Sequence, residues 1–320
     1  MFGFEGNYMS RERSTLGKKF DVWIIFLGLL LVFFILSPDF RSVGTIKALL
    51  QLIPTNGVIS VGMTLVILIG ELDLSCGAVL ASSGLIMAKL LPYGLPIAIL
   101  AALGWGGLIG FINGWSVSRL KMNSLIATLA TTFIVGGLSL LISDGPRHFD
   151  NQFLRKFGNE GLLSIPYTVM VFFFLVILFQ ILLKKTRFGL NIYAVGGNHL
   201  AAHYAGINVE EIQILVFVLS GLLSSLGGII LSSRLLAAGP IYGQEAAIVA
   251  ITSVLIGGTA LGGGRGDTVK TFWGVMILGI LTKGMNLLLL PAYFQDMIVG
   301  SILILTLISS RITQKKETTL

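Results

Sequence analysis

Ten apolar runs, most of them about 17 to 25 residues long, follow one another along this chain and leave little room between them. They fall at about 22–38, 48–70, 74–91, 95–117, 124–142, 164–183, 212–233, 246–262, 271–290 and 294–310. A run of that length crosses about 30 Å of hydrocarbon as a helix, and lipid leaves the backbone no spanning alternative except a closed barrel of short alternating strands. No such alternation is present. With only 12% charged residues the chain cannot present its apolar surface as one soluble core, because an ordinary globular domain carries about 25%. The expected fold is therefore an all-α polytopic membrane bundle of about ten transmembrane helices, forming a single domain over residues 1–320.

Charge orients the bundle. If the N-terminus is cytoplasmic, the inner segments hold Arg11, Arg13, Lys18, Lys19, Arg119, Lys121, Lys184, Lys185, Arg187, Arg265, Lys270, Arg311, Lys315 and Lys316. The outer ones hold half as many: Arg41, Lys47, Lys89, Arg147, Arg155, Lys156 and Arg234. The excess of basic residues on the inner side predicts both termini in the cytoplasm. It also accounts for the net charge of +7 without a nucleic-acid partner. The first run follows a basic leader but ends at Ser37-Pro38-Asp39 with no small-residue cleavage site, so it reads as an uncleaved helix. One cysteine, Cys76, excludes disulfide frameworks and cysteine metal clusters.

Glycine, 40 residues, lies inside the runs. Gly106, Gly110 and Gly114 repeat every four residues, as do Ser220, Ser224 and Gly228, which predicts close helix crossings. Glu71 and Asp73 stand between two apolar runs, where ionisable groups are costly. Two placements fit the spacing. Either residues 70–75 form a solvated cytoplasmic turn in which Asp73 or Ser75 caps the third helix, or the span is broken and these groups line a route. Lys283 and Asn286 fall inside the ninth run, where Lys283 can snorkel to the surface or pair with a carboxylate. Ile69-Gly70 with ELDLSCG faintly echoes Ile256-Gly257 with GTALGGG.

The polar interruption from Lys184 to Glu211 predicts a short helix, with Asn198 as N-cap and Gly206 as its C-terminal glycine. So brief a helix is marginal by itself in water. It is either a capped connector on the bilayer surface or an element held against a partner. No GxxxxGK loop followed by Ser or Thr exists, since Gly262 to Gly266 reads GGGRG, so the chain cannot bind ATP in that way. His148, His199 and His203 make no metal site, and no nucleophile constellation appears.

Three motifs in order carry a family resemblance over essentially the whole chain. Val61-Gly-Met-Thr-Leu-Val-Ile-Leu with Asp73-Leu-Ser75-x-Gly77 resembles the GMTLVI and DLSxG elements of permease subunits of ribose-type ABC importers. Ile256-Gly-Gly-Thr-Ala-Leu-Gly-Gly-Gly264 resembles their GGTxLxGG element. Thr186-Arg-Phe-Gly, Tyr193 to Asn198, Ala201-Ala202 and Ala205 to Asn208 resemble their cytoplasmic loop. The resemblance implies a sugar permease of the bacterial inner membrane, not itself an enzyme. It implies that Gly197, Asn198, Ala201, Ala202 and Gly206 contact a cytoplasmic ATPase subunit, which carries ATP and magnesium. It implies a soluble sugar-binding protein outside and a second permease copy or paralogue. Asp73, Ser75 and Asn286 are the candidate route residues. Glu71, Ala78, Ala247 and Lys283 depart from the family pattern, which more often shows Gly, Ser, an acidic residue and Asn there. Two other readings are a branched-chain amino-acid ABC permease, which usually carries an Asn-Phe-Ala-type element where this chain has Asp73-Leu-Ser75, and a self-sufficient secondary transporter.

Overall fold

The computed structural model describes residues 22–163 and 165–318, so the basic leader from Arg11 to Lys19 lies outside the described residues. Thirteen α-helices carry the described chain. They are α1 (Val22–Leu36), α2 (Val43–Leu68), α3 (Cys76–Leu90), α4 (Leu95–Ser118), α5 (Ser124–Ile142), α6 (Gln152–Asn159) and α7 (Tyr167–Lys185). There follow α8 (Arg187–Gly197), α9 (His199–Tyr204), α10 (Val209–Leu235), α11 (Ala246–Ile256), α12 (Thr268–Leu287) and α13 (Ala292–Thr318). Each predicted run contains or overlaps one of these helices. Six of them, α2, α3, α4, α5, α7 and α10, are long and apolar enough to cross a membrane. The chain is an all-α polytopic membrane protein.

Four two-residue strands interrupt the helical pattern. β1 (Arg147–His148) pairs antiparallel with β4 (Ala237–Ala238), and β2 (Gly161–Leu162) with β3 (Ile165–Pro166). With α6 they cap one end of the bundle. There Asn159 donates to the carbonyls of Ser233 and Arg234, closing the C-terminal turn of α10. The other end carries α8, α9 and the loops bearing Arg119, Lys121, Lys184 and Arg265.

α2 and α10 form the centre. α2 packs against α7, α10, α11 and α12, and α10 against α2, α3, α4 and α6. The main core joins Val58, Val61 and Leu65 of α2 to Phe172 of α7, Phe217 of α10 and Ile192 and Val195 of α8. The predicted small face of α4 is a crossing of minimal separation: a Cβ at Gly110 would fall inside the radius of the Phe217 carbonyl. Ser220 and Gly228 on α10 face elsewhere, toward the segment before α3 and toward Leu80. One small stripe thus meets α4 and a neighbouring one meets α3, which lets three backbones pack tightly without a hydrophobic drive.

Candidate functional site

At the basic end, α8 and α9 form one unit built from local capping. Thr186 Oγ1 accepts from the Gly189 N–H at 3.1 Å to start α8, which the sequence reading did not separate from its surroundings. Asn198 Oδ1 accepts from the Ala201 N–H at 3.0 Å and starts α9, as expected. At its far end Gly206 has φ +82, Gly206 N–H donates to the His203 carbonyl and Ile207 N–H to the Ala202 carbonyl. That double bond pattern is a Schellman stop, and it requires the left-handed residue glycine supplies.

The unit is stapled to two loops. One joins α2 to α3 and the other joins α11 to α12. His199 Nε2 lies 3.0 Å from the Ile69 carbonyl, and Tyr193 Oη donates to the Gly266 carbonyl at 2.8 Å. The loops also bond each other, through Gly264 N–H and the Leu68 carbonyl at 2.8 Å. Gly196 sits at this three-way junction, with no space for a Cβ between Leu68 O and Gly264 N. Burial and the neighbouring Asp267 charge push the Tyr193 phenol up to about 12, so it remains a donor at any physiological pH.

Of the five residues expected to face a partner, Gly197, Asn198, Ala201 and Gly206 are exposed. Ala202 corrects that expectation. It is only 3% exposed and packs into the core against the bundle, because one face of a six-residue helix held on two loops must turn inward. The outward face instead presents Leu200 and Tyr204, 70% and 85% exposed. The sequence reading missed both. Their i, i+4 spacing puts them on one face, but which face turns inward depends on what lies behind α9, which no local signal gives.

Asp73 and Ser75 lie deeper, in a sealed network. Asp73 is 1% exposed. Its Oδ1 accepts from Ser75 N–H at 2.9 Å and Ser75 Oγ at 2.6 Å, and its Oδ2 from Ser220 Oγ of α10 at 2.9 Å. Asn113 of α4 donates to Ser75 Oγ at 2.8 Å and accepts from Thr131 of α5 at 2.6 Å. The extended backbone before α3 is satisfied by α5, since Leu72 and Leu74 N–H donate to Ser124 and Thr128 hydroxyls. Asp73 is therefore buried and not solvated, and Ser75 makes no side-chain cap. Glu71, by contrast, accepts from Gln213 and borders a cleft of about 690 Å³ with Lys121, His199, His203 and Glu210.

Asn286 is not part of this network. It is exposed near the far end of α12, where it accepts from Gln295 at 2.8 Å. No group of three or more metal-ligating side chains occurs among the described residues.

The fold and this junction agree with a permease. The chain belongs to the family described as branched-chain amino acid transport system / permease component, whose model matches residues 45–307. With six spanning-length helices, it is a multi-pass protein of the bacterial inner membrane. It is similar to the ribose import permease protein of Bacillus subtilis (strain 168), 38% identical over 294 residues covering 89% of this chain and 91% of that one. The ribose import permease protein of Haemophilus influenzae is 37% identical, covering 94% and 92%. The L-arabinose transport system permease protein of Escherichia coli (strain K12) is 34% identical, covering 98% of each. No solved structure matches the chain.

Proposed function

We propose that this chain is the membrane permease of an ATP-binding-cassette importer for a ribose-like monosaccharide. The similarity to ribose and arabinose permeases over nearly the full length supports a sugar cargo over an amino acid. In this reading residues 1–320 form one permease domain with ten transmembrane helices, α1 to α5, α7 and α10 to α13, the crossing of the short α11 being completed by the non-helical chain before it. Both termini are cytoplasmic, which puts the α8–α9 end inside and the α6 end outside. The observation that carries the reading is α9 itself, a doubly capped helix with an outward Leu200 and Tyr204 and two hydrogen-bonded staples behind it.

A separate cytoplasmic ATPase, which holds ATP and magnesium, receives α9 in a groove. A binding protein delivers the sugar at the α6 end, and a second permease chain closes the route. When the ATPases close, α9 moves together with α8, and the bonds of His199 on α9 to Ile69 and of Tyr193 on α8 to Gly266 pass the displacement to both loops at once. Those loops lead into α3 and join α11 to α12, so the bundle switches between outward and inward openings. The chain contributes binding surface and motion, with no chemical step of its own.

Membranes holding the assembled transporter should take up labelled ribose in an ATP-dependent way and ignore labelled leucine. Leucine uptake in place of ribose would transfer the cargo to the amino-acid class, and uptake without any ATPase would point to a secondary transporter. Replacing both Leu200 and Tyr204 by Glu should lower ATPase recovered with the purified permease at least about tenfold, since buried aromatic and aliphatic anchors dominate such contacts. Undiminished recovery would move the docking site off α9.

A further inference from the structure

We propose that Glu245, together with Gln244, lines the translocation route halfway through the membrane and hydrogen-bonds the hydroxyls of the passing sugar. This rests on the sugar-importer reading above and adds a site to it. It starts from the path of the chain after α10. Beyond β4 at the outer end, residues 239–245 do not turn along the surface. From Ala238, beside Gly84, to Gly243, beside Gly77, they run along α3 toward its N-terminus as a string of turns. Gly77 of α3 packs against the Gly243 carbonyl, and the Leu80 side chain packs at Gly243 itself. Ala246 and Ala247 then join Cys76 and Leu80 in a cluster with Ile59 and Met63 of α2.

The depth follows from α11. Its 11 residues run from Ala246 to Ile256, where the loop bonded to the α8–α9 junction begins. At about 1.5 Å per residue that is about 16 Å, half of a hydrocarbon core of about 30 Å. Glu245 therefore stands near the mid-plane. It is exposed on the surface of this chain, as is Gln244, and at the N-cap position of α11 its side chain makes no cap bond. Its carboxylate has no hydrogen-bond or ion-pair partner among the described residues.

A charged group at that depth is not left facing lipid; it faces a water-filled cavity, and irregular backbone at membrane depth is tolerated on the same condition. The chemistry of the pair selects the ligand. A carboxylate is an acceptor with two oxygens, and a primary amide both donates and accepts. Side by side they complement neighbouring hydroxyls on a neutral polyol. Ile241 and Ile248, 60% and 48% exposed on either side, offer apolar surface for the carbon face of a sugar ring.

The test uses the assembled transporter in native membranes. Cys76 is only 1% exposed, so the chain is nearly silent to charged thiol reagents before any cysteine is added. Glu245→Cys should react with a charged methanethiosulfonate, and sugar-loaded binding protein should slow that reaction. Phe133→Cys, at a 73% exposed position of α5, should react only with a membrane-permeant maleimide. In parallel, Glu245→Leu should reduce ribose uptake at least about tenfold with the ATPase still bound, because a site built to hydrogen-bond hydroxyls loses most when a polar partner is removed. Glu245→Gln, which retains an acceptor, should lose less. Reaction of Glu245→Cys with the permeant reagent alone, or native uptake by Glu245→Leu, would overturn the proposal. Uptake of no sugar by the native transporter would instead overturn the importer reading, a result separate from the labelling pattern.

Discussion

Gly196→Ala should leave a transporter that assembles with its ATPase and moves almost no sugar. The added methyl has no place to go, since it would overlap the Leu68 carbonyl and crowd the Gly264 amide, two groups already bonded to each other at 2.8 Å. Backbone on both sides prevents the relief that a flexible side chain would offer. α8 must lift instead. Lifting it stretches the bonds from Tyr193 to Gly266 and from His199 to Ile69. Overpacking of this kind costs about 1–3 kcal/mol and each lost hydrogen bond about 1 kcal/mol. The variant should therefore unfold at a visibly lower temperature in detergent. More tellingly, it separates α9 from the loops it must move, while Leu200 and Tyr204 remain available to a partner. Uptake at least about tenfold lower, with ATPase still copurifying, is the expected pair of results. As a control, Gly137→Ala on α5 adds the same methyl where nothing lies within 4 Å and should behave as the native chain. If Gly196→Ala transports at the native rate, the junction does not transmit motion.

Several features of this junction were legible because they are local. Asn198 and Gly206 mark the ends of α9 through bonds to residues three or fewer positions away, and such chemistry is written in the sequence. The apolar runs were legible for a similar reason. A spanning helix satisfies its own backbone, so length and hydropathy suffice to find it. The boundary of α11 shows where this fails. The run at 246–262 continues through Gly257 to Leu261 without a charged residue, yet the helix ends at Ile256. Gly258, Gly263 and Gly264 then take positive φ to fold the loop back onto Leu68. The α6 helix was missed because eight residues of mixed polarity carry no membrane signal. Non-local matters were not legible at all. Whether Ala202 or Leu200 turns inward depends on what lies behind α9, and the separation of Asn286 from Asp73 depends on how far α12 runs. The descent of residues 239–245 has no periodicity to read. Even so, the faint echo between the two Gly-rich turns falls on loops that bond each other, a contact that neither sequence spacing nor composition specifies.

Asp73→Leu should be the most destabilising single change in the interior. Its two carboxyl oxygens take three hydrogen bonds, from Ser75 N–H, Ser75 Oγ and Ser220 Oγ, in a place only 1% exposed. Leucine removes both acceptor oxygens and strands the three donors where water cannot replace them. At about 1–3 kcal/mol for each buried group left unsatisfied, the loss comes to roughly 3 kcal/mol or more. The damage would also spread. Ser75 Oγ is the acceptor for Asn113, which in turn accepts from Thr131, so α3, α4, α5 and α10 are all tied to one side chain. Asp73→Asn makes the sharper comparison. Its amide oxygen can keep both bonds from Ser75, and its NH2 can donate to Ser220 Oγ once that hydroxyl turns its own proton away. Only about 1 kcal/mol should then be lost. Thermal unfolding of the three proteins in one detergent should place Asn near the native chain and Leu far below it. If Asn and Leu fall together, the negative charge of Asp73 matters more than its acceptor geometry, and the network would have to be rebuilt around a buried ion.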